Sequence, residues 1–573
     1  MSAPGHGPRP RRRSDVDDAA LWSRFRGVAG DEVKASTVHR LKLASAGPAG
    51  FSLYLRDLAP PDILRGDALM RDVWRFGTER EQLAPGETPW RLALPSRHFK
   101  DRVHRFHWLP DLFAHGDAGA DRAQLLVDDW IEVFGKFDGF AWRAGPTADR
   151  IWNWMRCGSA LFDQGEEAAR TARIEAVARQ LRHLDVVVDQ TPSALARWRG
   201  ACVLVAAGIC LNAGKDLDRA IGRLEAECTA QILPDGGHAS RSPAVGLGAL
   251  LDLLVLRDLF LRAAKPIPAM LETMVPRMAA MVQFFKSGDG ALDPFNCGSE
   301  ARPELVDAAL NSVEAPPRRF SVAPKSGFQK LESGSVRLVL DAGAAPLAPM
   351  ADEAHAGALG FELSDGPARL VTSCGYSPEV NVDWQAAVRR TGAHSTLTIA
   401  GRDSAVFEMR EESRVLAPSG PAGISAKRLE EGEEIWLDAQ HSGYKGPYGL
   451  LHRRRLFMSA DGARITGEDS LVRPVSQGLS EDRRFINYEL RFHIHPSVTA
   501  LMGADFIRLQ PPIGPAWRFK TSHAGARLEK TIYLGRDAVE PSEQIVLTGQ
   551  ADPNGEGSEP PNCVRWAFKR EAS

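Results

Sequence analysis

The chain has 573 residues and a formal charge of −2, from 71 basic and 73 acidic side chains. Hydrophobic residues make up 43% and charged residues 25%, the profile of an ordinary folded chain long enough for several domains. The balance excludes a globally basic nucleic-acid binder, and no apolar run reaches the roughly 18 residues that a membrane-spanning helix needs.

Residues 1–18 hold Pro, Gly and Arg11-Arg12-Arg13 and lack the apolar stretch of an export signal. Residues 1–30 therefore read as a disordered tail, and the location expected is cytoplasmic, with the periplasm as the alternative. The seven cysteines are odd in number, scattered and without a CxxC pair, so reduced thiols are expected rather than a disulfide framework or a zinc knuckle. Arginine outnumbers lysine by 57 to 14. That favours the planar fork that holds carboxylates and sulfates.

From residue 121 to 287 the apolar spacing is helical. Helices are expected over 121–137, 148–162, 166–188, 192–211, 217–231, 243–264 and 268–286. Short breaks such as Thr191-Pro192, Pro234-Asp-Gly-Gly237 and Lys265-Pro266 separate them. Helices of this length joined by short breaks pack as antiparallel hairpins, and a series of seven predicts an α/α toroid over 31–290. No strict sequence period supports TPR or HEAT repeats. Residues 291–330 are rich in Gly, Pro, Asn and Ser and read as a linker. Beyond it, short alternating segments rich in β-branched and aromatic residues predict strands at 335–341, 359–363, 368–373, 395–399, 434–439, 449–458, 464–471, 488–495, 516–520, 528–534 and 544–548. The fold class expected is α+β multidomain, with an N-terminal helical toroid followed by an antiparallel β-sandwich over 331–573.

Local words then point to a family. Gln231-Ile-Leu-Pro-Asp-Gly236 with Ser242-Pro243, His355-Ala-Gly-Ala-Leu-Gly-Phe-Glu-Leu363, Ala393-His-Ser-Thr396 and Leu451-His-Arg453 follow one another in order. In order and spacing, across about residues 100–570, they resemble the heparinase II/III family of polysaccharide lyases. The resemblance implies a groove at the toroid–sandwich junction and β-elimination on an acidic, uronate-containing glycan. That reaction needs a base at C5, a neutralised carboxylate and an acid for the leaving oxygen. The family's Asn-His pair falls here on Leu195-Ala196, its Tyr on Val245, its first sandwich His on Glu353 and its Asp metal ligand on Ser373. The alternative is accordingly a non-catalytic glycan-binding or scaffold protein that keeps the lyase fold. A nucleotide- or sugar-modifying enzyme ranks last, because no phosphate-binding or nucleophile-elbow word stands in a suitable context.

Against that background, His355, Glu353, His394, Arg241 and His238 are the candidate catalytic residues. Arg241 is the expected carboxylate fork, His355 or Glu353 the proton carrier, and His355 with His394 a weak zinc site, the only cofactor suggested. Arg241, Trp142, Trp152, Tyr444, Tyr448 and Arg453 are the candidate substrate contacts. Each has a structural alternative. His355 and His394 fit a hydrogen-bonded buried pair, and Glu353 fits a solvated loop acid. Arg241 would flank the cap Ser242-Pro243, the tyrosines would be loop aromatics, and Arg453 would lie on a solvated strand face. Tryptophan at helical spacing is more often core. The expected partner is an acidic polysaccharide, with no nucleic acid and no membrane, and homo-oligomers stay open.

Overall fold

Polar caps and apolar stripes set the helical half. The computed structural model describes residues 43, 48, 50–211, 216–410, 415–421, 423–474, 484–523 and 525–572; the expected tail, residues 1–30, lies outside them. The helices of eight or more residues described are α1 (Ile63–Met70), α2 (Arg97–Arg105), α3 (Gly116–Phe134), α4 (Ala144–Arg156), α5 (Glu167–Val187), α6 (Ala194–Cys210), α7 (Leu217–Gln231), α8 (Pro243–Arg262), α9 (Ala269–Phe285) and α10 (Pro303–Asn311). Side-chain oxygens of Asp62, Ser96, Ser193 and Ser242 accept the amides of Arg65, Phe99, Ala196 and Val245 and so start α1, α2, α6 and α8. α4 packs on α6, α6 on α7 and α8 on α9. The helix expected over 148–162 breaks after Arg156, where Gly158 takes φ +56°. α2 was not anticipated, because in Arg97–Arg105 only Phe99, Val103 and His104 turn inward. Trp74, Trp108, Trp130, Trp142, Trp152 and Trp154 are all buried in the toroid core.

Among the described residues, every strand pairing in the second half is antiparallel. A nine-stranded sheet carries Val336–Asp341, Phe361–Asp365, Ala368–Thr372 and Ile486–Ile494. An eight-stranded sheet runs in the spatial order Ile424–Glu431, Glu434–His441, Leu451–Met458, Arg464–Val472, Cys563–Arg570, Trp517–Thr521, Ile507–Gln510 and Thr499–Met502. Their facing sides share one apolar core that includes Leu338, Phe361, Phe492, Leu437, Leu456 and Phe568. Ile424–Glu431 escaped the sequence reading because it is an edge strand with no buried residue. Inside the sandwich, Asp469 accepts Arg454 Nε at 2.8 Å, His452 Nε2 at 2.7 Å and Trp566 Nε1 at 2.7 Å, and all four side chains are buried.

The two halves are bolted together by charge. Asp235, in the break between α7 and α8, accepts the amides of Lys325 and Ser326 at 2.8 and 2.7 Å. A Cβ at Gly236 would lie 2.2 Å from the Arg277 carbonyl, so only glycine lets this turn close on α9. Arg337 donates to Asp293 at 2.9 Å, and Arg369 to Asp289 at 2.6 Å. Glu300 gathers Tyr533 OH at 2.5 Å, Arg536 at 2.9 Å and His495 at 3.0 Å.

Burial gives the stability a pH dependence. Desolvation holds His104, His107, His238, His355, His394, His441, His452, His493 and His495 below the ordinary imidazole value. The unfolded chain then binds protons that the folded chain does not, so stability falls as pH drops below about 6.5, by up to about 1.4 kcal/mol per pH unit for each such group. Burial raises Asp252, Glu353 and Glu362, the last to about 8, and these work in the opposite sense. The histidines outnumber them, so the thermal midpoint is expected to fall between pH 7 and pH 5 in a calorimetric series.

Candidate functional site

A cleft of about 1080 Å³ lies between the toroid and the sandwich. Its toroid wall is built on α2, α4, α6 and α8 and carries Arg102, Arg105, Arg143, Asp149, Trp198, Arg199 and Asp252; its sandwich wall carries Glu353, Tyr376 and Pro378. The polar residues interlock. Arg105 donates to Asp101 at 2.5 Å and to Asp149 at 2.6 Å, and Arg143 also reaches Asp101. Arg199 lies 3.3 Å from Asp149 and pairs with Asp252, which accepts Trp198 Nε1 at 3.0 Å. Arg102 crosses the cleft end to Glu379 of the sandwich.

Burial opposes the charge on Asp149, but His107, Arg105 and Arg199 overcome it and hold that carboxyl far below its usual range. Burial wins at Asp252 and Glu353, which are raised despite Arg199 and Arg389 respectively. Desolvation brings the His107 imidazole down to about 4 and that of His238 to about 3, so both are neutral near pH 7. Burial pushes the Tyr376 phenol well above its ordinary value. The cleft arginines are thus paired with Asp101, Asp149, Asp252 and Glu379, and the neutral imidazoles and the phenol are poor bases for C5.

The positions where the family words put Asn, His and Tyr do face this cleft. They present Leu195, Ala196 and Val245 to it. Glu353 and His238 also line it, with His238 tied to Ser240 at 2.8 Å and Gln231 at 3.2 Å. His355 sits behind the wall, its Nε2 at 3.5 Å from Cys297 Sγ and its ring 5.4 Å from that of His394. Asn296 brings the backbones of Arg241 and His355 together, donating to the Arg241 carbonyl at 2.9 Å and accepting the His355 amide at 3.1 Å.

Several candidates serve other ends. Arg241 is not a free fork. It takes φ +57° and spends its guanidinium on Asp341, the Ser326 carbonyl at 2.7 Å and the Ala344 carbonyl at 3.0 Å. Tyr444 is buried in the sandwich core and donates to the Leu397 carbonyl at 2.7 Å, and Tyr448 packs beside that core. Arg453 is paired with Asp438 on the outer sheet face. Trp142 borders the cleft, but its Nε1 is committed to the Phe134 carbonyl; Trp152 is core, beneath the Arg199 guanidinium. Zinc does not fit His355 and His394. Among the described residues no three His, Cys, Asp or Glu side chains group to hold a metal, and Ser373 presents a backbone amide to Glu362 instead of a ligand.

The sequence reading missed Arg102, Arg105, Arg143, Arg199, His107, Asp149 and Asp252. The only local signal was the density of Arg and His in residues 97–107 and in Arg197-Trp198-Arg199.

The comparisons with known proteins follow this geometry. The model for "Heparinase II/III-like, C-terminal" matches residues 315–567. A curated relative, the FtsZ-localized protein C of Caulobacter vibrioides, is 33% identical over 93% of this chain and 94% of its own. Among solved structures, a heparinase III superposes with a TM-score of 0.66 at 15% identity, over 96% of this chain and 91% of that one. The heparan sulfate lyase HepC of Pedobacter heparinus gives 0.54 at 15% identity, with the same coverage. At such identities the structures speak for the toroid-and-sandwich fold alone, whereas the full-length relative and the sandwich model speak for descent. The chain belongs to the heparinase II/III-like family.

Proposed function

We propose that this protein is a non-catalytic member of its family, which holds an acidic saccharide in the interdomain cleft and localises with FtsZ in the cytoplasm. The observation that carries the first part is the cleft wall itself. Leu195, Ala196 and Val245 stand where proton-transfer groups are expected, in a polar cleft lined by a network of paired arginines and carboxylates whose edges can hydrogen-bond a saccharide. The second part is supported by the full-length relative named for its FtsZ localisation.

The runner-up is a lyase that uses Glu353, whose raised carboxyl lines the cleft. Elimination leaves a conjugated double bond in the product, so ultraviolet absorbance separates the two. Incubation with heparan sulfate, alginate and polygalacturonate is expected to give no rise in absorbance, while calorimetry detects binding of at least one of them. A steady rise that Glu353→Gln abolishes would replace the scaffold reading with the enzymatic one. A fluorescent fusion is expected to follow FtsZ to the division plane and to disperse when FtsZ is depleted.

A further inference from the structure

The outward face of the eight-stranded sheet carries a feature that the cleft does not use. One lateral row crosses it in register, Leu429, Trp436, Phe457, Thr466, Ala567 and Lys520, on six adjacent strands. The side chains step from large aromatic to small and back to long. Thr466 and Ala567 therefore form the floor of a trough of about 460 Å³, with Trp436 and Phe457 as one wall and Lys520 as the other. The two aromatic rings brace each other at 5.0 Å, and Arg464 supports Phe457 at 5.4 Å. The next row places Arg455, Glu468 and Arg565 side by side. Glu468 lies 3.0 Å from each arginine.

We infer that this trough is a second saccharide site, separate from the cleft, which takes one acidic sugar unit of a polymer. An aromatic wall offers a flat apolar surface to the C–H face of a sugar ring. Arg455 and Arg565 share one acid, Glu468, which leaves one positive charge to meet a ligand carboxylate, while Lys520 is paired with Asp505 at 2.8 Å. The Arg–Glu–Arg row also separates a sugar from a nucleic acid. Adjacent sugar hydroxyls accept from arginine and donate to Glu468, whereas a phosphodiester has no proton to give that carboxylate. A single aromatic wall, rather than a series of rings along a basic track, is likewise unlike a single-strand nucleic-acid channel.

Calorimetry with hexagalacturonate on the full chain tests this, with cellohexaose and an oligodeoxythymidylate as comparison ligands. Trp436→Ala removes part of the wall and Ala567→Trp fills the floor while leaving every lining charge in place. Val245→Trp fills the cleft and leaves the sheet untouched. Thermal melts establish that each variant is folded. The trough site is expected to survive Val245→Trp and to weaken at least tenfold in both Trp436→Ala and Ala567→Trp, with cellohexaose bound more weakly than hexagalacturonate. Failure of the cleft proposal alone would leave this trough isotherm unchanged. The inference is overturned if hexagalacturonate binding disappears with Val245→Trp, if neither sheet variant changes it, if no hexagalacturonate binds, or if the trough prefers the oligodeoxythymidylate.

Discussion

Arg241→Ala is expected to lower folding stability by about 3–5 kcal/mol, the usual cost of removing one partner from a buried ion pair. The guanidinium holds Asp341 and two carbonyls of the sandwich from the toroid side, and it lies over the Phe328 ring at 4.6 Å. Its loss strands the Asp341 carboxylate at the joint between the halves. Chemical denaturation should report the change, and limited proteolysis should find new cuts near the joint at residues 322–345. Saccharide affinity measured on the folded fraction is expected to change little, because Arg241 is buried at the joint and turned to Asp341 and two carbonyls, away from the cleft lining. A large loss of affinity with unchanged stability would return Arg241 to the binding wall. Arg241→Lys should recover only part of the stability, since one ammonium cannot reach all three acceptors.

Asp469→Ala is expected to be at least as damaging, again by about 3–5 kcal/mol. Arg454 would keep a buried charge without its carboxylate, and His452 and Trp566 would each lose an acceptor. Arg454 also donates to the carbonyls of Leu359 at 2.6 Å and Ser395 at 2.8 Å, so the same cation pins the strands behind the His355 and His394 segments. The double variant Arg454→Met with Asp469→Leu removes both charges and should recover a large part of the loss. Equal destabilisation in the single and double variants would mean that packing, rather than the uncompensated charge, sets the cost.

Much of the fold was legible because it is written in local patterns. The helix over Leu217–Gln231 was read to the residue, and Ser242-Pro243 was recognisable as a cap with proline at the first helical position. Strands such as Glu434–His441 alternate inward and outward residues, which a period of two exposes. α2 and the edge strand Ile424–Glu431 stayed hidden for the opposite reason: both are polar nearly throughout, with two apolar residues in α2 and three in the strand.

The site was only half legible. The family words located the cleft through positions 195, 196, 245 and 353, and their spacing along the chain is a property of sequence alone. What Arg241 does was not a property of sequence. An arginine beside a glycine-rich break looks the same whether it reaches for a ligand or for Asp341, a hundred residues away. The assembly of Arg102, Arg105, Arg143 and Arg199 with Asp101, Asp149 and Asp252 likewise exists only after α2, α4, α6 and α8 pack around one space. The sequence by itself determined the order of helices and strands, the family and the apolar residues at positions 195, 196 and 245, because these depend on residue type and near neighbours. The tertiary structure alone decided which charges are spent on the joint and which face the cleft, because a long-range ion pair depends on distance and burial that no local pattern encodes.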